Sequence, residues 1–263
     1  TCGDDGNIEE MGAFTTAIQR ALLDGEVDIA VHSYKDLPIE QVPGLRIAAI
    51  SEREDVRDVV ISKHGKKVSD LPEGAIIGTG SLRRELQIKQ LRPDLEVKFI
   101  QGNLDSRIKK MMEGDYDAII LAAAGLKRLG MLAQATEILS EEEMIPAVCQ
   151  GALALEVRDN DKETAALVAK VNDEDTKIAT DAERTFLLAL GGGCNYPIAA
   201  YAKIEDQALY LSGLYAAADG SVVEVDRIEG HKGSAHQLAR QLAQDLHQRV
   251  TEKSREINRE AEA

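Results

Sequence analysis

The sequence predicts an α/β protein that closes with a small α+β unit. Two observations carry this. Through the first two-thirds of the chain, short runs rich in Val and Ile alternate with helical patterns, as expected of α/β architecture with largely parallel sheets. In the last third, three strand-like runs follow one another between two helices. In order, Phe14, Ile18 and Leu22 share one helical face, with Gly25 as its stop. Residues 27–31 (VDIAV) read as a buried strand. Further strands are predicted over 45–50, 58–62, 75–79, 96–100, 116–121 and 152–157. A helix carrying Ala182, Phe186 and Ala189 leads into GGGCNYP, and strands are predicted over 198–204, 208–216 and 221–229. Asp219-Gly220 suits a hairpin turn. A last helix places Leu238, Leu242, Leu246 and Val250 on one stripe, and the mixed-charge tail after Glu252 is expected to fray.

The 263 residues allow two or three domains, and a 44% hydrophobic content is ordinary for a globular chain. No stretch is long and apolar enough to cross a bilayer, and the polar, acidic first residues do not resemble a secretory leader. A net charge of −15 disfavours nucleic acid, whose binding requires phosphate neutralisation. Any site for an acidic ligand must be a local basic cluster. The three cysteines, Cys2, Cys149 and Cys194, are far apart and odd in number, which argues against a disulfide framework or a zinc site and for a reducing cytoplasm.

Three strand-to-helix turns are basic. AIIGTGSLRRELQIKQL offers Thr79 or Ser81 as a cap, with Arg83 and Arg84 in the first helical turn. EVKFIQGNLDSRIKK places Gly102 and Asn103 in the turn and Arg107 early in the helix, and YDAIILAAAGLKRLG brings Gly125, Lys127 and Arg128. Arginine at a helix start opposes the dipole preference unless an anion sits there. Ligands of open α/β sheets gather at the C-terminal strand ends. The pattern therefore predicts a cleft for a polycarboxylate or phosphate compound; the competing reading is a set of solvated surface arginines.

VHSYKDLP sets His32, Ser33, Lys35 and Asp36 in one strand-end loop. Asp36 can serve as an acid, a base or a cation stabiliser, or it can simply cap a turn before Pro38. Cys194 follows three glycines, which let another molecule approach its sulfur, although a lone cysteine is as readily an inert core residue.

Together VHSYKDLP, GTGSLRR, QGNLDSR, YDAIILAAAGLKRLG, VCQGALALEVR and GGGCNYP resemble the porphobilinogen deaminase (hydroxymethylbilane synthase) family in order and spacing, from about Phe14 to the closing helix. The resemblance implies two periplasmic-binding-protein-like (type II) α/β domains with a cleft between them, and a small C-terminal α+β domain. Residues 1–51 and 152–172 would form domain 1, 52–151 domain 2 and 173–263 domain 3. It implies a cytoplasmic, monomeric transferase of haem biosynthesis that joins four porphobilinogen units onto a dipyrromethane cofactor. Neither nucleic acid nor membrane would be a partner. By matching motifs Asp36 would be the catalytic carboxylate, and Cys194 would hold dipyrromethane through a thioether. Arg83, Arg84, Arg107 and Arg128 would bind acetate and propionate groups. Ser33, Lys35, Thr79, Ser81, Asn103, Gly125 and Gln150 match supporting positions in the cleft.

The chain also departs from the family. Gln101 stands where an arginine is usual, and Cys149 where a glycine precedes Gln150-Gly151. EEMGAF lacks a lysine near Met11 in a segment expected to be a mobile lid loop. The family's opening strand, Arg- and Ser-containing turn and helix have no counterpart, so domain 1 is expected to lack that unit. These departures leave two other readings: an impaired relative on the same scaffold, or an anion-binding module without catalysis.

Overall fold

The computed structural model describes residues 6–114, 116–192 and 197–261. Its elements are α1 (Gly6–Leu23), β1 (Ala30–Ser33), β2 (Leu45–Ile50), β3 (Asp58–Ser62), β4 (Ile76–Gly78), α2 (Leu82–Leu91), β5 (Glu96–Lys98), α3 (Leu104–Glu113), β6 (Ala118–Ala122), α4 (Ala123–Arg128) and β7 (Glu137–Ile138). These are followed by β8 (Leu153–Arg158), α5 (Lys162–Val168), α6 (Glu174–Ala189), β9 (Ile198–Glu205), β10 (Ala208–Ala216), β11 (Val223–His231) and α7 (Ala235–Ala261).

Among the described residues these strands make three sheets, ordered β1-β8-β2, β5-β4-β6-β3-β7 and β11-β10-β9. The chain leaves the first sheet after β2, builds the second, and returns as β8 between β1 and β2. The two crossing segments are tied to each other: Ser51 N donates to Leu153 O at 3.0 Å and Glu54 N to Gly151 O at 3.1 Å.

The α/β class is present, with a separate antiparallel α+β unit at the end, but the expectation of largely parallel sheets is corrected. β8 runs antiparallel to both β1 and β2. In the second sheet β4 is parallel to β5 and β6, whereas β3 is antiparallel to β6 and β7. Hydrophobic periodicity reports which side chains are buried and carries no strand direction. The most legible strands are those covered on both faces. Val59 and Ile61 of β3 pack with Ile119, Leu121, Met111 and Leu126 on one side, and Val60 packs with Ile77, Ile88, Leu95 and Ile120 on the other.

Three elements depart furthest from expectation. Only Ala30 and Val31 of VDIAV enter a strand, and Val31 is exposed on an edge of the first sheet. EEMGAF lies within α1 rather than in a loop. α7 continues to Ala261 instead of fraying after Glu252, helped by Lys253 Nζ, which bonds Glu224 Oε1 of β11 at 2.6 Å. In the third unit Phe186 is fully buried with Ala200, Leu211, Leu242 and Leu246. Its ring lies over Gly213, where a Cβ would come within 2.7 Å of Phe186 Cζ.

Candidate active site

The loop after β1 is shaped by what pins it. Tyr34 N donates to Ala152 O at 3.0 Å, and the buried Tyr34 ring lies 4.8 Å beneath the Arg184 guanidinium of α6. Arg184 also donates to Leu37 O at 3.2 Å and Pro38 O at 2.6 Å. With Tyr34 anchored inward, Ser33, Lys35 and Asp36 are left on the exposed side. Solvent reaches Lys35, yet surrounding protein crowds its ammonium. That desolvation, aided by the charges of Arg84 and Arg83 and opposed by Asp36 and Asp58, brings its pKa down to about 8.

At the C-terminal edge of the second sheet, Gly78 has no room for a side chain; a Cβ would meet Tyr116, Ile100 and Ile119 at 2.9–3.0 Å. The turn it opens buries Thr79, whose Oγ1 accepts the Ser81 backbone N–H at 3.2 Å. Ser81 occupies the N-cap of α2, but its side chain makes no cap hydrogen bond. Arg83 and Arg84 follow in the first turn, as expected. However, both are buried and both are drawn to a residue the sequence reading passed over, Asp58 at the start of β3. Arg84 Nη2 donates to Asp58 Oδ1 at 2.7 Å and Arg83 Nη2 lies 2.8 Å from Asp58 Oδ2. Arg84 Nη1 reaches Ile120 O at 3.0 Å and Arg83 Nη1 reaches Ile145 O at 2.7 Å, while Arg83 Nε is buried without a hydrogen-bond partner. Burial alone would raise the Asp58 pKa, but the two guanidiniums outweigh it and hold the carboxyl well below the usual range.

In the next turn Asn103 caps α3 by accepting Ser106 N–H at 2.9 Å, and Arg107 Nε donates to Gly102 O at 2.6 Å. Arg107 is half-buried; its pKa is lowered by desolvation and by Arg84, with Asp36 acting in the opposite sense. Gln101 is exposed, and its carbonyl accepts Lys110 Nζ at 2.9 Å.

The third turn corrects the expected pattern. α4 begins at Ala123, so Gly125 lies inside the helix, packed near Leu104, and Arg128 is its last residue. There the charge obeys the dipole, and Arg128 Nη2 donates to Gly151 O at 2.8 Å in the returning crossover.

Gln150 joins the two sheets. Its fully buried amide donates to Val56 O at 2.7 Å and Asp58 Oδ1 at 3.0 Å, and its Oε1 accepts Lys35 Nζ at 3.3 Å. Beside it, Cys149 has φ +62°, in the left-handed region that favours glycine, which accounts physically for the glycine of the family pattern. Burial pushes its thiol pKa well up, and Glu183 adds to this. Behind the crossover, Glu183 of α6 accepts from Arg53 at 2.6 and 3.1 Å, from Cys149 N at 2.6 Å and from Ala202 N at 2.7 Å.

The fold thus brings Lys35, Asp36, Arg83, Arg84 and Arg107 into one electrostatic neighbourhood, with Gln150 bonded to Lys35 within it. Ser33 ends β1 of the first sheet, while Ser81 and Asn103 follow β4 and β5 of the second. Cys194 and its neighbours 193–196 fall outside the described residues, as does Cys2. Asp58, Arg53, Glu183 and Arg184 were missed; the one available signal was a charged residue abutting the apolar run 59–61 within β3. Among the described residues, no group of three or more His, Cys, Asp or Glu is placed to hold a metal ion.

Two family models match the chain: "Porphobilinogen deaminase, dipyromethane cofactor binding domain" over residues 4–166, and "Porphobilinogen deaminase, C-terminal domain" over 177–249. The chain belongs to the porphobilinogen deaminase family. A relative named porphobilinogen deaminase from Syntrophomonas wolfei is 45% identical over 239 residues, covering 91% of this chain and 78% of that one. Another, from Shouchella clausii, is 50% identical over 214 residues, covering 81% and 69% respectively. The dipyrromethane expected from the motifs accords with the description of the first family model. Among solved structures, a YaeC-family lipoprotein from Enterococcus faecalis overlaps 64% of this chain and 81% of its own (TM-score 0.38, 16% identity). An ancestral cationic amino acid solute binding protein overlaps 64% and 72% (TM-score 0.38, 15% identity). So loose an overlap adds nothing to the sequence match. No helix among the described residues is long and apolar enough to cross a membrane.

Proposed function

We propose that this chain catalyses the reaction its family is named for. In that reaction four porphobilinogen units are deaminated and joined stepwise onto a dipyrromethane primer on Cys194, and hydroxymethylbilane is released. One observation carries the reading: Arg83 and Arg84 meet at the buried Asp58, Gln150 links that carboxylate to Lys35, and Asp36 and Arg107 share the electrostatic surroundings of these cations. Positive charge in such excess, with two of the arginines buried and Arg83 Nε unpartnered, fits a ligand rich in carboxylates. By that chemistry the same cations fit the acetate and propionate groups of dipyrromethane. Arg128, at the crossover, would extend the set, and Ser33, Thr79, Ser81, Asn103, Gly125 and Gln150 would shape the walls.

When bound, the primer supplies a tether and a free pyrrole carbon to which each unit is joined. Arg83, Arg84, Arg107 and Lys35 hold the carboxylates of the incoming pyrrole. Asp36, held in place by the anchored Tyr34 turn, accepts the pyrrole N–H and steadies the positive charge left on porphobilinogen when ammonia departs. Residues 1–51 with 152–172, 52–151 and 173–263 act as three domains, the first two enclosing the cleft. The protein acts as a monomer in the cytoplasm.

Intact mass before and after exposure of apoprotein to porphobilinogen tests the reading. A two-pyrrole gain lost in Cys194→Ser supports it; an unmodified wild-type chain overturns it. Asp36→Asn should retain the adduct and lose at least about 10²-fold in turnover, as expected for removal of a transition-state charge partner. Robust linear tetrapyrrole formation by the wild type would exclude both the impaired relative and the binding module.

A further inference from the structure

The cationic cluster is organised around a buried carboxylate that the catalytic scheme does not use. Asp58 is fully buried at the start of β3, where it pairs with Ala122 at the C-terminal end of β6. It therefore lies at the strand ends where the basic turns gather. Two guanidiniums from α2 converge on its two oxygens, at 2.7 and 2.8 Å. Gln150 donates to the same carboxylate at 3.0 Å and accepts from Lys35 at 3.3 Å. Lys35 belongs to the loop after β1 in the first sheet, whereas Asp58 belongs to the second. One buried anion thus connects cations from both sheets.

We propose that Asp58 is a positioning residue: it fixes the Arg83 and Arg84 guanidiniums and, through the Gln150 amide, the Lys35 ammonium, as one array that receives the carboxylates of the pyrrole substrate. This rests on the activity proposed above. Two adjacent arginines without a shared counterion repel each other and lose their orientation. With the carboxylate between them, their planes are set while the array keeps net positive charge for a ligand. Lys35 is faced by Arg83 and Arg84 from α2, by Asp58 from β3 and by Asp36 from its own turn. Removing the Asp58 charge leaves it with two repelling neighbours and one attracting one. The ammonium should then give up its proton more readily.

The test replaces the charge and keeps the shape. Competitive acetylation of the lysines across pH, read by peptide mass spectrometry, follows Lys35 without any turnover. Asp58→Asn should move the Lys35 titration to lower pH, so that its labelling at pH 7 rises several-fold. In parallel, KM for porphobilinogen should rise about tenfold or more, the worth of one charge-assisted contact, with a smaller fall in kcat. Asp58→Glu should recover part of both. A folded Asp58→Asn protein with unchanged Lys35 titration and unchanged KM overturns the proposal. If Asp58→Asn does not fold, Gln150→Met cuts the amide bridge and leaves the arginine pairs. It should likewise lower the Lys35 titration and raise KM, and its failure to do so overturns the proposal equally. If the wild type makes no tetrapyrrole, the functional reading fails while the labelling result still decides the role of Asp58.

Discussion

Glu183→Gln should be among the most damaging single substitutions outside the cleft. The wild-type carboxylate is fully buried and takes four donors: Arg53 Nη1 and Nη2, Cys149 N and Ala202 N, at 2.6–3.1 Å. A glutamine offers one oxygen and one NH2 group. Whichever way the amide turns, donors on one side face a donor, and the Arg53 charge, whose side chain is 11% exposed, loses its carboxylate and keeps only the Gln150 and Ala202 carbonyls and the Tyr201 ring. Breaking a buried ion pair from one side costs about 3–5 kcal/mol, against a total stability of about 5–15 kcal/mol. For a chain of this size each kcal/mol moves the melting temperature by about 2–4 °C, so a fall of about 6–20 °C is expected. Differential scanning calorimetry on the two proteins reads this directly. A shift smaller than about 2 °C would refute the reasoning, because the donors would then have to be satisfied without the charge.

Other predictions follow from single positions. Cys149 has φ +62°, so Cys149→Gly should be more stable than Cys149→Ala by about 1 kcal/mol, the reverse of the usual order, in urea denaturation. Gly151 has φ +91° and a Cβ there would lie 2.4 Å from Glu54 O, so Gly151→Ala should sharply reduce soluble, folded protein, seen by circular dichroism of the purified fraction. Desolvation brings the Lys35 pKa down to about 8, so if its ammonium holds substrate carboxylate as proposed, KM for porphobilinogen should rise as pH climbs through about 8. Asp58 has a folded pKa depressed below its ordinary 3.8, so its stabilising contribution is complete above that value and is lost as pH falls below it; the acid-unfolding midpoint of Asp58→Asn should show a weaker pH dependence in that range.

The two-faced burial of β3 and β6 made those strands readable, because Val59–Ile61 and Ala118–Ala122 are apolar at every position and no alternation has to be resolved. The basic turns were readable too, since glycine and arginine at a strand end have a local meaning. The partners of those arginines were not. Asp58 reads locally as an ordinary polar strand start, and its role exists only once α2 is folded over β3. Glu183, in AERTF, reads as one more charged residue on a helix, and only the arrival of Arg53 and the crossover makes it central. Arg128 was misplaced because Ala123 and Ala124 start α4 earlier than the glycine suggested. Cys149 was legible only as a departure from the family pattern, and the positive φ behind that pattern emerged with the fold.

The paired crossover between the first two sheets has a mechanical consequence. Two adjacent segments, stitched by the Ser51 and Glu54 amides, are the waist through which those sheets are covalently joined. Any rotation of one half against the other must bend that waist, and Glu183 grips it from the third unit through Arg53 and Cys149. A disturbance of that waist is therefore transmitted to α6, so the first two sheets and the helix of the third unit share one pivot.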